Sequence, residues 1–259
     1  MSKRIRNFIL ATVTLGCITI LPACDGLFEG VYDKPGDNCG EAASGQLHID
    51  ATAWDEWHYI DLRRVETANA DNLWQTFKVP SADGDAYAAH PDAETAGIYT
   101  YWYDVYGEGI SRHEFRSFRQ TAQQGEPEEW TIAVHRDNVR TNGCGVHATG
   151  YASIDQLPAS RKYLEQLSYT PDSWNETDVW TVRDKMLSGI IGCQGISVNT
   201  VLSSWLTVEI PPMPPTYSMD SRVYVLRLGD GTYAALQLTD YMNSEGVKCH
   251  LTINYKYPL

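Results

Sequence analysis

The sequence predicts an all-β protein of antiparallel sheets with little helix, and three observations carry that prediction. The C-terminal end reads as a three-strand meander: residues 222–228, a Gly229-Asp230-Gly231 turn, residues 232–238, a polar connection, and residues 249–257. In the last of these strands Leu251, Ile253, Tyr255 and Tyr257 share one face while Thr252, Asn254 and Lys256 share the other, so one side is buried and the other wet. Helical periodicity is scarce: a short helix is expected only over residues 160–167, where Tyr163, Leu164 and Leu167 keep helical spacing behind Pro158.

Upstream, residues 45–49 and 57–62 alternate as strands, with Trp57, Tyr59 and Asp61 opposed to His58, Ile60 and Leu62, and are expected to open the β structure as a pair. Residues 63–129 form a long segment, small, acidic and Ala-rich in its middle and aromatic towards its end. Tyr99, Tyr101 and Tyr103 fall on one strand face, which favours packing in a core or against another subunit over stacking on a ligand or sugar. Residues 130–136 alternate as a further strand, and the Asn and Gly of residues 137–145 end it in a polar corner.

The N-terminal end predicts export. Lys3, Arg4 and Arg6 precede an apolar run from Phe8 to Leu21, too short to span a membrane, that closes on Leu21-Pro22-Ala23-Cys24. Residues 1–23 are therefore expected to be a lipoprotein signal peptide and Cys24 the acylated first residue of the mature chain. Residues 24–43 then form a flexible tether and residues 44–259 a single all-β domain. Outer-membrane or cell-surface localisation, with membrane contact through the lipid alone, is the corresponding expectation. The net charge is −13; loss of residues 1–23 lowers the bases from 20 to 17 against 33 acids and makes it −16, the wrong sign for a nucleic-acid partner. Cys39, Cys144, Cys193 and Cys249 remain; their pairing is open, none forms a CxxC, and Cys144 with His147 lacks a second pair of zinc ligands.

Enzyme signatures are missing: there is no GxSxG, HExxH, Walker loop or strand-following GxGxxG. His135, beside Arg136 and Asp137, could do acid–base work, but a strand-face histidine bonded to its neighbours is the more ordinary reading. A hydrolase built on a carboxylate pair is one alternative that spacing does not address.

Several blocks resemble one family. Trp130-Thr-Ile-Ala-Val-His-Arg-Asp-Asn-Val-Arg-Thr-Asn-Gly143, Trp205-Leu206 with Pro215-Thr216-Tyr217 and Arg222-Val-Tyr-Val-Leu-Arg227, and Asp230-Gly231 with Thr239-Asp240-Tyr241 and the Tyr255-Lys-Tyr257-Pro258 ending resemble the HmuY family of haem-binding lipoproteins of Bacteroidetes. Ile49-Asp50-Ala51 with Trp57 and Tyr59 fits its start, which leaves residues 63–129 as an expansion. The resemblance implies a non-enzymatic HmuY-like sandwich that grips one haem between two axial side chains and hands it to a TonB-dependent transporter of the outer membrane, with self-association as a further implication. The second histidine of bis-His members would fall near Ile210 here, and no His lies between His147 and His250. Met213, set between two Pro pairs, and Met186 are therefore the proposed axial ligands, since haem iron accepts thioethers. Trp205, Tyr217 and Trp180 are candidates to flank the porphyrin, each with a core role as the competing reading. The alternative function is a paralogue without haem that binds another flat ligand or a glycan through the aromatic segment.

Overall fold

The computed structural model describes residues 43–67, 74–82, 88–158 and 160–259, and residues 43–259 fall within one compact unit. The expected signal peptide, the expected acylation site at Cys24, the expected tether up to residue 42 and Cys39 lie outside the described residues. The fold is built of antiparallel sheets with two short helices among the described residues.

Strands β1 (Ala43–Asp50), β8 (Gly145–Ala148), β14 (Tyr224–Arg227), β15 (Tyr233–Met242) and β16 (Lys248–Tyr257) form a five-stranded sheet in the order β1-β16-β15-β14-β8. The predicted meander is its centre. A second sheet runs β3 (Trp74–Lys78), β2 (Glu56–Ile60), β6 (Ile132–His135), β7 (Asn138–Thr141). A third runs β10 (Trp180–Val182), β11 (Ile190–Val198), β4 (Gly97–Asp104), β5 (Gly109–Gln120), with β9 (Ser173–Asn175) also on β11. Strands β12 (Leu206–Glu209) and β13 (Thr216–Met219) make a separate hairpin.

Alternating side chains divide the core into layers. On one face of the second sheet, Ile60, Ile132 and Val134 pack with Leu236, Leu238, Leu251 and Ile253 of the first. On its other face, Trp57, Tyr59 and Ala133 pack with Ile196 and Val198 of the third. The second sheet is thus covered on both sides, which is why β6 is buried at all four positions. The outer face of the first sheet is closed by α1 (Arg161–Glu165), whose Leu164 packs on Val223, Val225 and Ala235. Its N-cap is Ser160, the hydroxyl accepting from the Tyr163 amide at 3.3 Å.

Two expectations are corrected here. β1 and β2 do not pair with one another: β1 takes all eight of its partners from β16, while β2 pairs with β3 and β6. The corner expected over residues 137–145 instead contains β7, returned against β6 by a tight turn at Arg136 and Asp137. The aromatic face behaves as expected of a core: Tyr99, Tyr101 and Tyr103 are at most 4 % exposed and sit beside Phe118, Ile191 and Cys193. Those rings are closed to a glycan, and Tyr106 in the β4–β5 turn is the exposed ring of this group. Cys144, Cys193 and Cys249 are all buried free thiols. The described residues hold no cluster of three His, Cys, Asp or Glu able to bind a metal ion.

Candidate functional site

A cavity of about 580 Å³ opens where the second and third sheets meet the β12–β13 hairpin. That is ample for a cofactor-sized molecule. Its aromatic wall is Trp54, Tyr103, Trp180 and Tyr217, and its aliphatic wall includes Ile110, Leu206, Val208 and Ile210. The Tyr103 and Trp180 rings lie 5.4 Å apart, and Trp180 stacks loosely on Trp54 at 6.5 Å and 24°. Tyr217 stacks on Tyr241 at 5.8 Å and 11°.

The residues expected from sequence separate into three groups. Met186, Trp180 and Tyr217 line the cavity. Met213 is 37 % exposed on the loop of residues 210–215, whose two ends, Ile210 and Pro215, border the cavity. Trp205 is fully buried in the main core, edge-on to Tyr224 at 6.4 Å, and takes no part in the lining.

Both methionine-bearing segments are anchored to the same end of the β4–β5 hairpin. Met186 opens a single tight turn, Met186–Ser188, closed by Gly189 in the left-handed conformation. The Tyr103 amide of β4 donates to the Gly189 carbonyl at 2.7 Å. A Cβ on Gly189 would stand 2.3 Å from the Tyr103 carbonyl oxygen, so only glycine allows the turn this close. The proline loop is tied from the other side, by the Ile110 amide of β5 donating to the Ile210 carbonyl at 3.2 Å. Gly109, at φ 82°, leaves room for that approach: a Cβ there would lie 2.3 Å from the Ile210 oxygen. The β4–β5 hairpin, whose place in the site was not readable from sequence, therefore supplies the common support of both loops.

The opposite wall is the β6–β7 turn. His135 is wholly buried; its Nε2 donates to the Trp54 carbonyl at 2.9 Å while Nδ1 has no partner. Burial pushes its pKa down to about 4, so the ring stays neutral and serves to hold the Trp54 loop. Arg136 adopts φ 54°, donates from Nη1 to the Thr52 carbonyl at 2.8 Å, and lays its guanidinium 4.0 Å from the Trp54 ring centroid. Asp137 sits beside it; burial, with the Asp178 charge adding to it, pushes its carboxyl up to about 6 against the pull of Arg136. Asp178 accepts from Asn175 Nδ2 at 2.7 Å and Thr177 Oγ1 at 2.8 Å. Such a site suits a flat, largely apolar molecule with polar groups at one edge. Its one lining histidine is tied to a backbone carbonyl.

Sequence reasoning missed Trp54 and Arg136 as site residues. Trp54 lies in an aperiodic loop and offered no signal. Arg136 was visible only as the end of a strand pattern running into Asp-Asn, a turn-forming pair.

A family model described as HmuY protein matches residues 53–255. Among solved structures, the chain is similar to a Bacteroides vulgatus protein described as HmuY-like and heme-binding: 31% identity over 83% of this chain and 92% of that one, TM-score 0.56. It is also similar to a Bacteroides fragilis protein described as a lipoprotein, at 26% identity over 83% and 90% of the two chains, TM-score 0.58. The apo HmuY analog of Tannerella forsythia shares the fold, at 20% identity over 86% and 100%, TM-score 0.60. No curated protein matches the chain.

Proposed function

The chain belongs to the HmuY family, and on that premise we propose that it is a lipid-anchored, cell-surface haem-binding protein that captures haem without turnover and passes it to a TonB-dependent transporter. The observation that carries this reading is the aromatic cavity with Met186 on its wall and the Met213 loop at its edge, both segments supported by one hairpin. The described relative from Bacteroides vulgatus, itself termed heme-binding, supports the same ligand.

Met186 and Met213 are the proposed axial donors, with Trp180 and Tyr217 beside the porphyrin. Met213, being exposed, has to swing its side chain inward from the loop. Trp205 acts from behind, as the core residue on which the base of β12 rests. Thioethers are soft, uncharged donors, so this pair holds ferrous haem in preference to ferric haem. Acylation at Cys24 keeps the domain at the membrane, and capture and transfer need no catalytic group.

Titration with haemin, with and without dithionite, tests the reading. The expected result is a Soret shift saturating at one haem per chain and tighter binding after reduction, with the reduced spectrum altered in Met186→Ala and Met213→Ala. No shift in either redox state overturns haem binding; spectra identical to wild type in one variant remove that methionine as ligand.

A further inference from the structure

Building on the haem reading, we propose that Arg136 and Arg183, gathered on the Trp54 ring, form an anion subsite at the cavity mouth that takes the two carboxylates of the flat ligand. The guanidinium carbons lie 4.0 and 5.4 Å from the same ring centroid. They reach it from different elements: Arg136 from the β6–β7 turn, and Arg183 from the end of β10, where its carbonyl accepts from the Met186 amide at 2.8 Å. The subsite is thereby three residues from one of the proposed iron ligands.

These two arginines share with Arg227, which lies over the Tyr169 ring, the lack of an ion-paired acid among the described residues. The chain has 33 acidic residues against 20 basic ones, and Arg63, Arg140 and Arg222 each meet a carboxylate. Among the described residues neither Arg136 nor Arg183 has a carboxylate oxygen within 4 Å, although Asp137 adjoins Arg136 in sequence. The two guanidinium charges on one ring repel each other, and Asp137 offsets that only at a distance, so an incoming dianion paired directly to both would relieve the repulsion. Arg136 is also held ready. Its backbone sits at φ 54°, sparsely populated for a residue with a Cβ, and its Nη1 is fixed on the Thr52 carbonyl at 2.8 Å. The Tyr217 hydroxyl stands beside it as another polar group on the same wall. The carboxylates on the lining do not compete for the fork: Asp178 is engaged by Asn175 and Thr177, and Asp137 lies 3.4 Å from Asn138 Nδ2. A planar guanidinium pairs with a carboxylate through two parallel hydrogen bonds, and a carboxyl ester forfeits both the charge and the fork.

Haemin and haemin dimethyl ester share the iron and the ring and differ only in those carboxylates. Each is titrated, after reduction, against wild type, Arg183→Gln, and Arg136→Gln/Arg183→Gln, with circular dichroism to verify folding. Wild type is expected to prefer the diacid at least tenfold. The double variant should retain less than threefold preference between diacid and diester, and Arg183→Gln alone should reduce the preference three- to fivefold. Since the Arg183 side chain is exposed, that single variant gives a reading even if loss of Arg136 prevents folding. Equal binding of diacid and diester by wild type, or full preference in Arg183→Gln or in a folded double variant, overturns the subsite and leaves haem binding standing. Failure of wild type to bind either compound removes both the haem reading and the subsite.

Discussion

Asp137→Asn should steepen the rise of stability with pH between about pH 4 and 6. His135 and Asp137 are displaced in opposite directions by the same burial: the imidazole from 6.5 down to about 4, the carboxyl from 3.8 up to about 6. Between pH 4 and pH 6 the folded state keeps a proton on Asp137 and none on His135, whereas the unfolded chain does the reverse. For His135 alone the unfolded chain binds the extra proton, so its contribution to stability falls as pH drops from 6.5 to 4. For Asp137 alone the folded state binds the extra proton, so its contribution falls as pH rises from 3.8 to 6. At about 1.4 kcal/mol per pH unit each amounts to roughly 3 kcal/mol, and the two slopes nearly cancel. Because Asp137 borders a cavity that water can enter, ~3 kcal/mol is a ceiling for its part. Removing the carboxyl leaves the His135 slope unopposed. Relative to wild type, Asp137→Asn should therefore gain up to ~3 kcal/mol of stability as pH rises from 4 to 6. Urea unfolding followed by tryptophan fluorescence at intervals of half a pH unit measures this directly. A difference between the two proteins that stays constant within ~1 kcal/mol across that window, about the uncertainty of the linear extrapolation, refutes the opposed titration.

Three further outcomes follow from packing. Gly109→Ala and Gly231→Ala both place a Cβ at φ 82°, but only the first meets the Ile210 carbonyl, while the second meets nothing within 4 Å. Gly231→Ala should cost about 1 kcal/mol by thermal melting with haem titration unchanged, and Gly109→Ala should cost more and weaken binding; equal behaviour of the pair would show that the proline loop does not depend on this approach. Trp205→Phe should stay within about 1.5 kcal/mol of wild type and leave haem titration intact, since the buried Trp205 Nε1 has no hydrogen-bond partner to lose, whereas Trp205→Ala should cost about 3–5 kcal/mol; loss of haem binding in a folded Trp205→Phe protein would return Trp205 to the pocket. Gln194→Leu should cost about 1–3 kcal/mol in urea unfolding, because the buried Trp57 Nε1 donates to Gln194 Oε1 at 2.8 Å and would be left unpaired; a neutral result would mean that another acceptor replaces it.

What the sequence determined by itself was local. The β14–β16 meander, the alternation of Leu251, Ile253 and Tyr255 into the core, the Ser160-capped helix and the single buried face of Tyr99, Tyr101 and Tyr103 all follow from the directions of successive Cβ atoms and from turn chemistry, which the order of residues sets. Tertiary structure decided everything that depends on which surface covers which. That β1 joins β16, some two hundred residues away, and not β2, is a choice between edges with the same local pattern. The double burial of β6 arises because a third sheet lies over its second face, and no period within four residues reports a distant layer. The site divides the same way: the paired prolines around Met213 were visible as a stiff loop, but the joining of that loop and the Met186 turn to one hairpin required two close backbone approaches, at Gly109 and Gly189, made by elements distant in the chain. Trp205 and Tyr217 were equivalent as isolated aromatics, and only the packing of β12 and β13 sent one into hydrocarbon and the other to the cavity wall. Trp54 and Arg136 meet for the same reason: a loop and a turn with no common pattern are brought together by the hydrogen bonds of His135 and Arg136 to the backbone of residues 52–54.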